Sequence, residues 1–285
     1  MKGFKLSLLD IFQGTWLKIR YLVLILSVLL LCSNFLSTAE AYMDITGNHD
    51  LSLADCLAFI IQGTTPGNRN NAMESFVMPT TWLLFMLLQL LLPLDHPPRS
   101  KELWGCQYMV RTSRRLWWVS KSAYTLAVNL LGFGLYLITA AIFCAASHIP
   151  LSMSGSEGFY RLLFGAADLS GFSMVTAAQN AILLIALPLA ALWAMSMIQL
   201  FLSIWLNPFV AYFTSVCILV LSAWFDVPWL LGNHAMAIRS SFIDSRGIEP
   251  ATAAIWCLAV GAAVFAAGWI GIRKMDMSVL KKEES

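Results

Sequence analysis

Six uncharged stretches rich in Leu, Ile, Val, Ala and Phe dominate the hydrophobic pattern of the chain, and polar segments separate them. Each stretch approaches the roughly 20 residues that an α-helix needs to cross the hydrocarbon core of a bilayer. Because backbone polar groups in lipid must be satisfied within the segment, runs of this length predict helices. The predicted spans are residues 21–39, 76–94, 122–146, 181–206, 208–225 and 252–272.

The fourth and fifth spans are separated only by Asn207 and Pro208, which form a turn signal. One continuous helix across both spans would have about 44 residues, which is longer than any bilayer requires. We therefore predict a tight helical hairpin here, within an all-α fold of six transmembrane helices. In this prediction residues 21–272 form one membrane domain, and there is no soluble domain.

The composition sets the chain apart from soluble proteins. Of its 285 residues, 59% are apolar and 12% are charged, and the mean hydropathy is +0.72. Soluble domains have roughly 45–50% apolar and 25% charged residues. These values exclude a disordered chain, a nucleic-acid-binding protein and a small disulfide scaffold. The chain is a polytopic membrane protein by composition.

Lys and Arg are concentrated in the segments that an alternating six-span path places on one side of the membrane. The positive-inside rule assigns that side to the cytoplasm, so both termini are predicted to be cytoplasmic. The basic residues on this side are Lys2, Lys5, Lys18, Arg20, Arg99, Lys101, Arg111, Arg114, Arg115, Lys121, Arg273, Lys274, Lys281 and Lys282. The opposite side carries Arg69, Arg161, Arg239 and Arg246.

Residues 1–20 precede the first span and have an amphipathic pattern. Apolar residues recur at three- and four-residue spacing from Leu8 to Ile19, which predicts a helix lying in the headgroup plane. Ala39-Glu40-Ala41 also resembles a signal-peptidase site, and this leaves cleavage open as an alternative. At the other end, residues 273–285 are predicted to form a cytoplasmic tail.

The sequence lacks the residue patterns of several functional classes. None of the six predicted spans contains an ionisable Asp, Glu, Lys, Arg or His, which argues against proton and ion pumps. No H-E-x-x-H pattern and no phosphate-binding G-x-x-x-x-G-K-[ST] loop occurs, and the six cysteines show no metal-ligand spacing. We therefore predict no catalytic, cofactor-binding or metal-binding residue and no enzymatic activity. Any energy for work comes from a partner protein.

Residues 95–121, between the second and third spans, contain the most informative polar sequence. Pro97-Pro98 ends the second span, and Leu103, Trp104, Tyr108 and Arg111 then fall on one helical face. Trp beside basic residues at a membrane boundary is typical of interfacial anchoring. The same pattern fits a helix that docks a cytoplasmic partner, and composition leaves both interpretations open.

The stretch from Gly105 to Lys121, GCQYMVRTSRRLWWVSK, resembles the G-x-Q-x-x-x-R-x-x-S-R-x-x-W-W-x-S-K pattern of ABC-2 type permeases, except that one residue and not two separates Arg111 from Ser113. These are the membrane subunits of bacterial ATP-binding-cassette exporters, including those linked to antimicrobial-peptide export and immunity. Gly271-Ile272-Arg273-Lys274-Met275-Asp276 is similar to the family's closing basic-plus-Asp pattern. The layout of an amphipathic N-terminal helix, six spans and a coupling helix is also similar.

This resemblance implies a coupling helix that rests in a groove of separate cytoplasmic ATP-binding subunits, which would bind ATP and Mg²⁺. It also implies a second permease subunit, identical or different, and a bacterial cytoplasmic membrane with its lipids as surroundings. Nucleic acid is not an expected partner. The docking residues implied are Leu103, Trp104, Gln107, Tyr108, Arg111, Arg114 and Arg115.

Two further sets of candidate residues lie near the last two spans. In the resembled family short helices after the fifth span close the exit path, which makes Trp224, Pro228 and Trp229 candidates for an outer gate; a Trp-anchored loop is the alternative. Small residues every four positions permit close helix packing, within the chain or in a dimer. This packing or dimer face consists of Ala259, Ala263, Ala267 and Gly271.

The first outer loop contains a short apolar segment, residues 50–61, which is too short to cross a membrane. It predicts an amphipathic helix on the outer surface that caps the bundle, with substrate contact as the alternative. Altogether, the leading function is the permease subunit of an ATP-driven exporter for an amphipathic peptide or lipid-like cargo. The alternative is a non-transporting membrane scaffold or sensor that recruits a cytoplasmic partner.

Overall fold

The computed structural model describes residues 19–65, 78–94, 113–165 and 175–272. Within these ranges the secondary structure is helical apart from one isolated bridge between Ser240 and Ile248, so the all-α fold is confirmed for this part of the chain. The helices are α1 (Ile19–Thr46), α2 (Leu53–Ile61), α3 (Thr80–Leu91), α4 (Arg114–Ala146), α5 (Glu157–Leu163), α6 (Ala177–Trp205), α7 (Pro208–Trp224) and α8 (Pro250–Gly271).

Four of these helices, α1, α4, α6 and α8, are long and apolar enough to cross a membrane. The apolar helices α3 and α7 have 12 and 17 residues, fewer than the roughly 20 that span the hydrocarbon core. The four long helices are those of a multi-pass membrane protein. The six-span path stays a prediction.

Local sequence signals explain where several helices begin. The Ser113 side chain accepts a hydrogen bond from the Leu116 amide at the start of α4, and Asn207 accepts one from the Phe209 amide at the start of α7. Such N-caps satisfy backbone donors that have no partner inside the helix. Pro208 occupies the first turn of α7, where its fixed φ is favourable and its missing N–H costs nothing.

Helix α6 changes its winding near its N-terminal end. Residues Ile182–Ala186 form a π-helical turn, and Pro188 follows two residues after it. A proline inside an α-helix removes one hydrogen bond and clashes with the carbonyl four residues earlier. The wider π turn supplies the space that Pro188 needs, and the helix continues to Trp205.

The helices form an alternating bundle with two distinct ends. α1, α4 and α7 run in one direction and α3, α6 and α8 in the other, and α6 contacts α3, α4, α7 and α8. We call the end that holds α2, α5 and residues 225–249 the capped end. The opposite end, which holds Arg20, Arg114, Arg115 and Lys121, is the basic end.

Helix α2 does not lie on the surface, contrary to the sequence prediction. Most of its residues, including Ala54, Asp55, Cys56 and Leu57, are fully buried, and it packs against α1, α3, α4 and α5. The predicted surface position was wrong because every residue of α2 except Asp55 is apolar, and a helix that is apolar on all sides is buried.

Helix α4 begins earlier than the predicted third span, so its first turns include residues assigned to the connection. Trp117 and Trp118 are buried there, and the Trp118 Nε1 donates to the Phe265 carbonyl at 2.9 Å. Gly268 of α8 lies against the Trp118 ring. The tryptophan pair therefore joins α4 to α8 inside the bundle and does not anchor the chain in the headgroups.

Candidate functional site

Arg239 is the most extensively bonded side chain of the capped end. Its guanidinium is buried and donates to the carbonyls of Ser222 and Ala223, at 2.6 and 3.0 Å, and to that of Phe225 at 3.0 Å. Its Nε donates to the Thr64 carbonyl at 3.1 Å, and Nη1 also donates to Asn233 Oδ1. Arg239 thus caps the last turn of α7, where a positive charge is favoured, and ties it to the end of α2.

Burial lowers the pKa of the Arg239 guanidinium to about 10, and the nearby Asp226 carboxylate partly opposes this shift. The group therefore stays charged at neutral pH. Its charge is compensated by four carbonyl oxygens and one carboxamide oxygen, and each of its three nitrogens donates to at least one of them.

Asp55 is the buried carboxyl group at the other end of α2. Its Oδ2 accepts from the Ser52 amide and hydroxyl at 2.8 and 2.9 Å, and its Oδ1 accepts from the Ser156 amide at 2.9 Å. Burial raises the pKa of the Asp55 carboxyl to about 6, and the hydrogen bonds from Ser156 and Ser52 oppose the shift. Asp55 thus joins α2 to the first turn of α5.

The loop after α7 completes the capped end. The Trp82 Nε1 of α3 donates to the Ala235 carbonyl at 3.1 Å, and the Ile238 amide donates to the Gln62 carbonyl at 3.1 Å. Gly63 has a positive φ of 79°, and a Cβ there would lie 2.5 Å from the Met236 Cβ. Only glycine satisfies both this backbone conformation and this contact.

The three predicted gate residues lie at the rim of this cap. Trp224 and Trp229 are 49% and 70% exposed, and Pro228 is also exposed. Trp229 contacts Trp256 of α8, with the ring centroids 5.7 Å apart. The residues that fill the cap are instead the buried Asn233, His234 and Arg239 with their apolar neighbours, which the sequence analysis did not select.

A cluster of uncharged polar side chains lies inside the bundle, and we call it the amide cluster. It consists of Gln89 (α3), Asn129 (α4), Ser196 and Gln199 (α6) and Ser215 (α7), all of them buried. The Ser196 hydroxyl donates to Asn129 Oδ1 at 3.3 Å, and the Ser215 hydroxyl donates to Gln199 Oε1 at 3.4 Å. Four helices therefore contribute to one polar interior layer.

The hydrogen bonds of the amide cluster are incomplete. Neither Oε1 nor Nε2 of Gln89 has a hydrogen-bond partner, and Asn129 Nδ2 also has none. Both side chains are 0% exposed. An amide buried without a partner costs about 1–3 kcal/mol by protein mutational data, so this layer is energetically unfavourable as it stands.

Glycine makes room for the Gln89 carboxamide. A Cβ on Gly132 would lie 2.6 Å from Gln89 Oε1 and 2.4 Å from Leu92 Cδ1. Gly132 and Asn129 are three residues apart on α4 and therefore share a face. The free carboxamide of Gln89 thus lies against the same face of α4 that carries the free Asn129 amide nitrogen.

Side chains from three other helices satisfy the last carbonyls of α3, beside the amide cluster. Arg20 Nη1 donates to the Leu91 carbonyl at 2.8 Å, Gln199 Nε2 to the Leu90 carbonyl at 2.9 Å, and the Tyr212 hydroxyl to the Leu87 carbonyl at 3.2 Å. Polar side chains inside the bundle therefore satisfy the C-terminal end of α3, and Pro93 follows its C-cap in the sequence.

Between the amide cluster and the basic end lies a narrow cleft. Its wall includes Pro93, Thr125, Ser196, Gln199 and Ser203. The Thr125 hydroxyl donates to the Lys121 carbonyl at 3.0 Å, and residues 121, 125 and 129 follow one face of α4. Polar residues thus continue from the amide cluster toward the basic end.

Most predicted docking residues, namely Leu103, Trp104, Gln107, Tyr108 and Arg111, lie outside the described residues. Arg114 and Arg115 form the first turn of α4. The Arg115 guanidinium carbon lies 5.3 Å from the centre of the Trp269 ring, a cation–π contact with α8. Arg115 is therefore engaged by its own chain.

The predicted packing face of α8 points away from the bundle. Ala259, Ala263 and Ala267 are exposed, and Gly271 is half-buried against Trp205. Within the chain, Gly261 and Gly268 make the close helix contacts instead, against Trp193 and Trp118.

The described residues include no group of three or more His, Cys, Asp or Glu side chains that could hold a metal ion. Comparison of the chain with protein-family models, curated proteins and solved structures found no match.

The amide cluster had a signal in the sequence. Gln89, Asn129 and Gln199 stand out as carboxamides within apolar runs, but the sequence analysis examined only ionisable residues in the spans. Lys121 lay just outside the predicted third span, although the structure includes it in α4 as a buried side chain.

Proposed function

We propose that this chain is the permease subunit of an ATP-driven exporter of the ABC-2 type. The observation that carries the proposal is the Gly105–Lys121 sequence pattern, whose last residues, from Arg114 onward, are the first turns of α4. Helix α4 has 33 residues and is therefore about 50 Å long. A force applied to the connection before Ser113 would reach Asn129 in the amide cluster through one continuous helix.

The charge distribution supports the proposed orientation. The described basic end carries Arg20, Arg114, Arg115 and Lys121 and no acidic residue, whereas most described acidic residues lie near the capped end. The proposal therefore assigns the basic end to the cytoplasm of a bacterium, with six spans and both termini inside. ATP-binding subunits would dock there and supply the energy by closing around nucleotide, a rigid-body coupling.

In this proposal a second permease subunit, identical or different, completes the transporter. The exposed alanines Ala259, Ala263 and Ala267 are the proposed contact, since small residues allow close approach of helices in lipid. The cargo is an amphipathic peptide or lipid-like molecule, and the gate residues Trp224, Pro228 and Trp229 would lie at its exit.

Purification of the tagged chain in mild detergent, followed by an ATPase assay of the co-purifying proteins, tests the proposal. We expect a stoichiometric partner with a phosphate-binding loop and ATPase activity. The Tyr108→Ala/Arg111→Ala variant should insert normally but lose coupled ATP turnover, whereas Arg246→Ala, on the exposed opposite side, should retain it. A chain that purifies alone, or with a partner that lacks such a loop, would favour the scaffold hypothesis instead.

A further inference from the structure

We propose that the amide cluster is a binding site for an uncharged hydrogen-bonding group, namely a peptide-type amide on an otherwise apolar molecule. The proposal deepens the proposed function only in that it names the cargo class. Its geometric basis is independent of any ATP-binding partner.

The unpaired polar atoms of the amide cluster belong to Gln89 and Asn129. Gln89 leaves its whole carboxamide unpaired, with one acceptor in Oε1 and one donor group in Nε2, and Asn129 leaves the Nδ2 donor group unpaired. A few other buried groups, such as the Tyr136 hydroxyl, leave a single atom unpaired. Among the residues that the structure describes, Gln89 and Asn129 are the only carboxamides with unpaired atoms, and they lie where α3 faces α4.

A ligand that complements these atoms must offer both a hydrogen-bond donor and a hydrogen-bond acceptor. An amide bond supplies both an N–H donor, which Gln89 Oε1 can accept, and a C=O acceptor for Gln89 Nε2 or Asn129 Nδ2. The amide cluster contains no charged member, and the walls around it are apolar helices. An ionised ligand would have to be desolvated among these uncharged side chains, and Arg20, which lies beside the cluster, already donates to the Leu91 carbonyl. Burial of a charge there costs far more than burial of an amide.

A ligand can reach the amide cluster only if the helices around it move. In the arrangement described above, which we call closed, the helices leave no room for a ligand. Binding therefore requires a shift of α3 away from α4. Helix α3 is the shorter of the two helices, with 12 residues against 33, and is therefore the one expected to move. The hydrogen bonds from Arg20, Gln199 and Tyr212 to its last turn oppose this shift and would have to move with the helix or break. The unpaired amides make the closed arrangement costly, and a ligand amide would remove that cost.

Isosteric substitutions separate binding from a structural role. Gln89→Met keeps the side-chain size and removes two unpaired atoms, whereas Asn129→Leu removes the unpaired Nδ2 together with Oδ1, which accepts from the Ser196 hydroxyl. Because replacing an unsatisfied buried group by an apolar one is neutral or stabilising, Gln89→Met should unfold at the same temperature as the wild type or higher, and Asn129→Leu should lose only the contribution of the Ser196 bond. The matched control is Asn180, a buried carboxamide that donates to the Met153 carbonyl at 2.9 Å and accepts from Tyr160. Asn180→Leu should lower the melting temperature by about 2–4 °C.

The binding experiment uses the purified chain alone in detergent, with N-acetyl-tetraleucine amide as the probe. We expect the probe to raise the melting temperature of the wild type and of Asn180→Leu but not that of the Gln89→Met/Asn129→Leu double variant. A photoreactive version of the probe should label α3, α4 or α6. The same peptide with a free C-terminal carboxylate should give a smaller shift.

Three outcomes would overturn the proposal: no shift for the wild type, an equal shift for the double variant, or a preference for the carboxylate peptide. Marked destabilisation by Gln89→Met would also overturn it, because the carboxamide would then have a structural partner. None of these outcomes bears on the ATPase partner. Conversely, if no ATPase co-purifies, the binding site still stands.

Discussion

The capped end and the amide cluster differ in the hydrogen bonding of their buried polar groups. Arg239 and Asp55 are charged groups whose hydrogen-bonding atoms are matched by backbone groups of α7, α5 and the α2 ends. Gln89 is uncharged, cheaper to bury, and has no partner for either polar atom. The fold therefore gives hydrogen-bond partners to the charged groups, whose burial costs most free energy, and leaves uncharged amide groups without partners. This difference indicates that the capped end is structural and that the amide cluster is available for binding.

Removal of the Arg239 charge is the strongest way to test the structural role of the capped end. Arg239→Met would leave the Ser222, Ala223 and Thr64 carbonyls without their donor, so we expect a loss of about 3–5 kcal/mol in the free energy of unfolding. Thermal unfolding in detergent measures this loss. Arg246 has a side chain that is 82% exposed, and Arg246→Met should change stability by less than about 0.5 kcal/mol. Equal effects would contradict the assignment.

Asp55 provides a pH-dependent test of the same end. Its pKa rises from 3.8 to about 6 on folding, so between these values the folded chain binds more protons at this site than the unfolded chain. The free energy of unfolding should therefore fall by at most about 3 kcal/mol as the pH rises through this window.

The Asp55→Asn variant should lack this fall, because it has no carboxyl group to titrate. Glu157→Gln, which keeps Asp55 and changes an exposed carboxylate, should retain it. Unfolding curves from pH 4 to pH 7 in detergent provide the comparison. An unchanged slope in Asp55→Asn would show that another group causes the dependence.

Close packing at the basic end offers a third comparison. A Cβ on Gly268 would lie 2.1 Å from Trp118 Cζ2, and the hydrogen bond from Trp118 to Phe265 restricts how far this ring can move. Gly268→Ala should cost about 1–3 kcal/mol through overpacking. On α4, Gly134 has no atom within 4 Å of such a Cβ, so Gly134→Ala should be neutral or slightly stabilising. Similar melting temperatures for both variants would contradict this packing.

The smallest expected loss of stability is that of Arg115→Gln, which we compare with that of Arg239→Met. Arg115 makes one cation–π contact with Trp269 at the basic end, and such contacts contribute about 0.5–1 kcal/mol at exposed sites. Arg115→Gln should therefore lower stability by roughly that amount, far less than Arg239→Met. If Arg115→Gln proved as harmful as Arg239→Met, the basic end would be as tightly constrained as the capped end.

The sequence predicted the apolar helices α1, α3, α4, α6, α7 and α8 because each contains an apolar run that its local pattern makes visible, but it did not predict the short helix α5. Helix α6 ends at Trp205 and α7 begins at Pro208, beside the Asn207-Pro208 turn signal. The capped end was less predictable. The burial of α2 depends on helices that are distant in sequence, and nothing near Arg239 indicates that its guanidinium reaches Thr64, 175 residues away along the chain.

The amide cluster could be predicted in part. Gln89, Asn129 and Gln199 are visible as carboxamides in apolar segments, and polar residues in such segments are often functional. Their meeting in one layer depends on how four helices rotate and slide against each other, which local sequence does not specify. The same holds for Gly132, whose role becomes apparent only beside Gln89.

The π turn of α6 has a consequence for helical phase. Each residue of an α-helix advances the side-chain direction by about 100°, and a π turn adds residues to one turn, so Ile182–Ala186 sets the angular position of everything after it. Deletion of one residue there would rotate Ser196 and Gln199 away from Asn129 and α3, while Asn180 before the turn would keep its orientation. The angular alignment of the polar interior with the capped end is therefore encoded by the number of residues in one short turn.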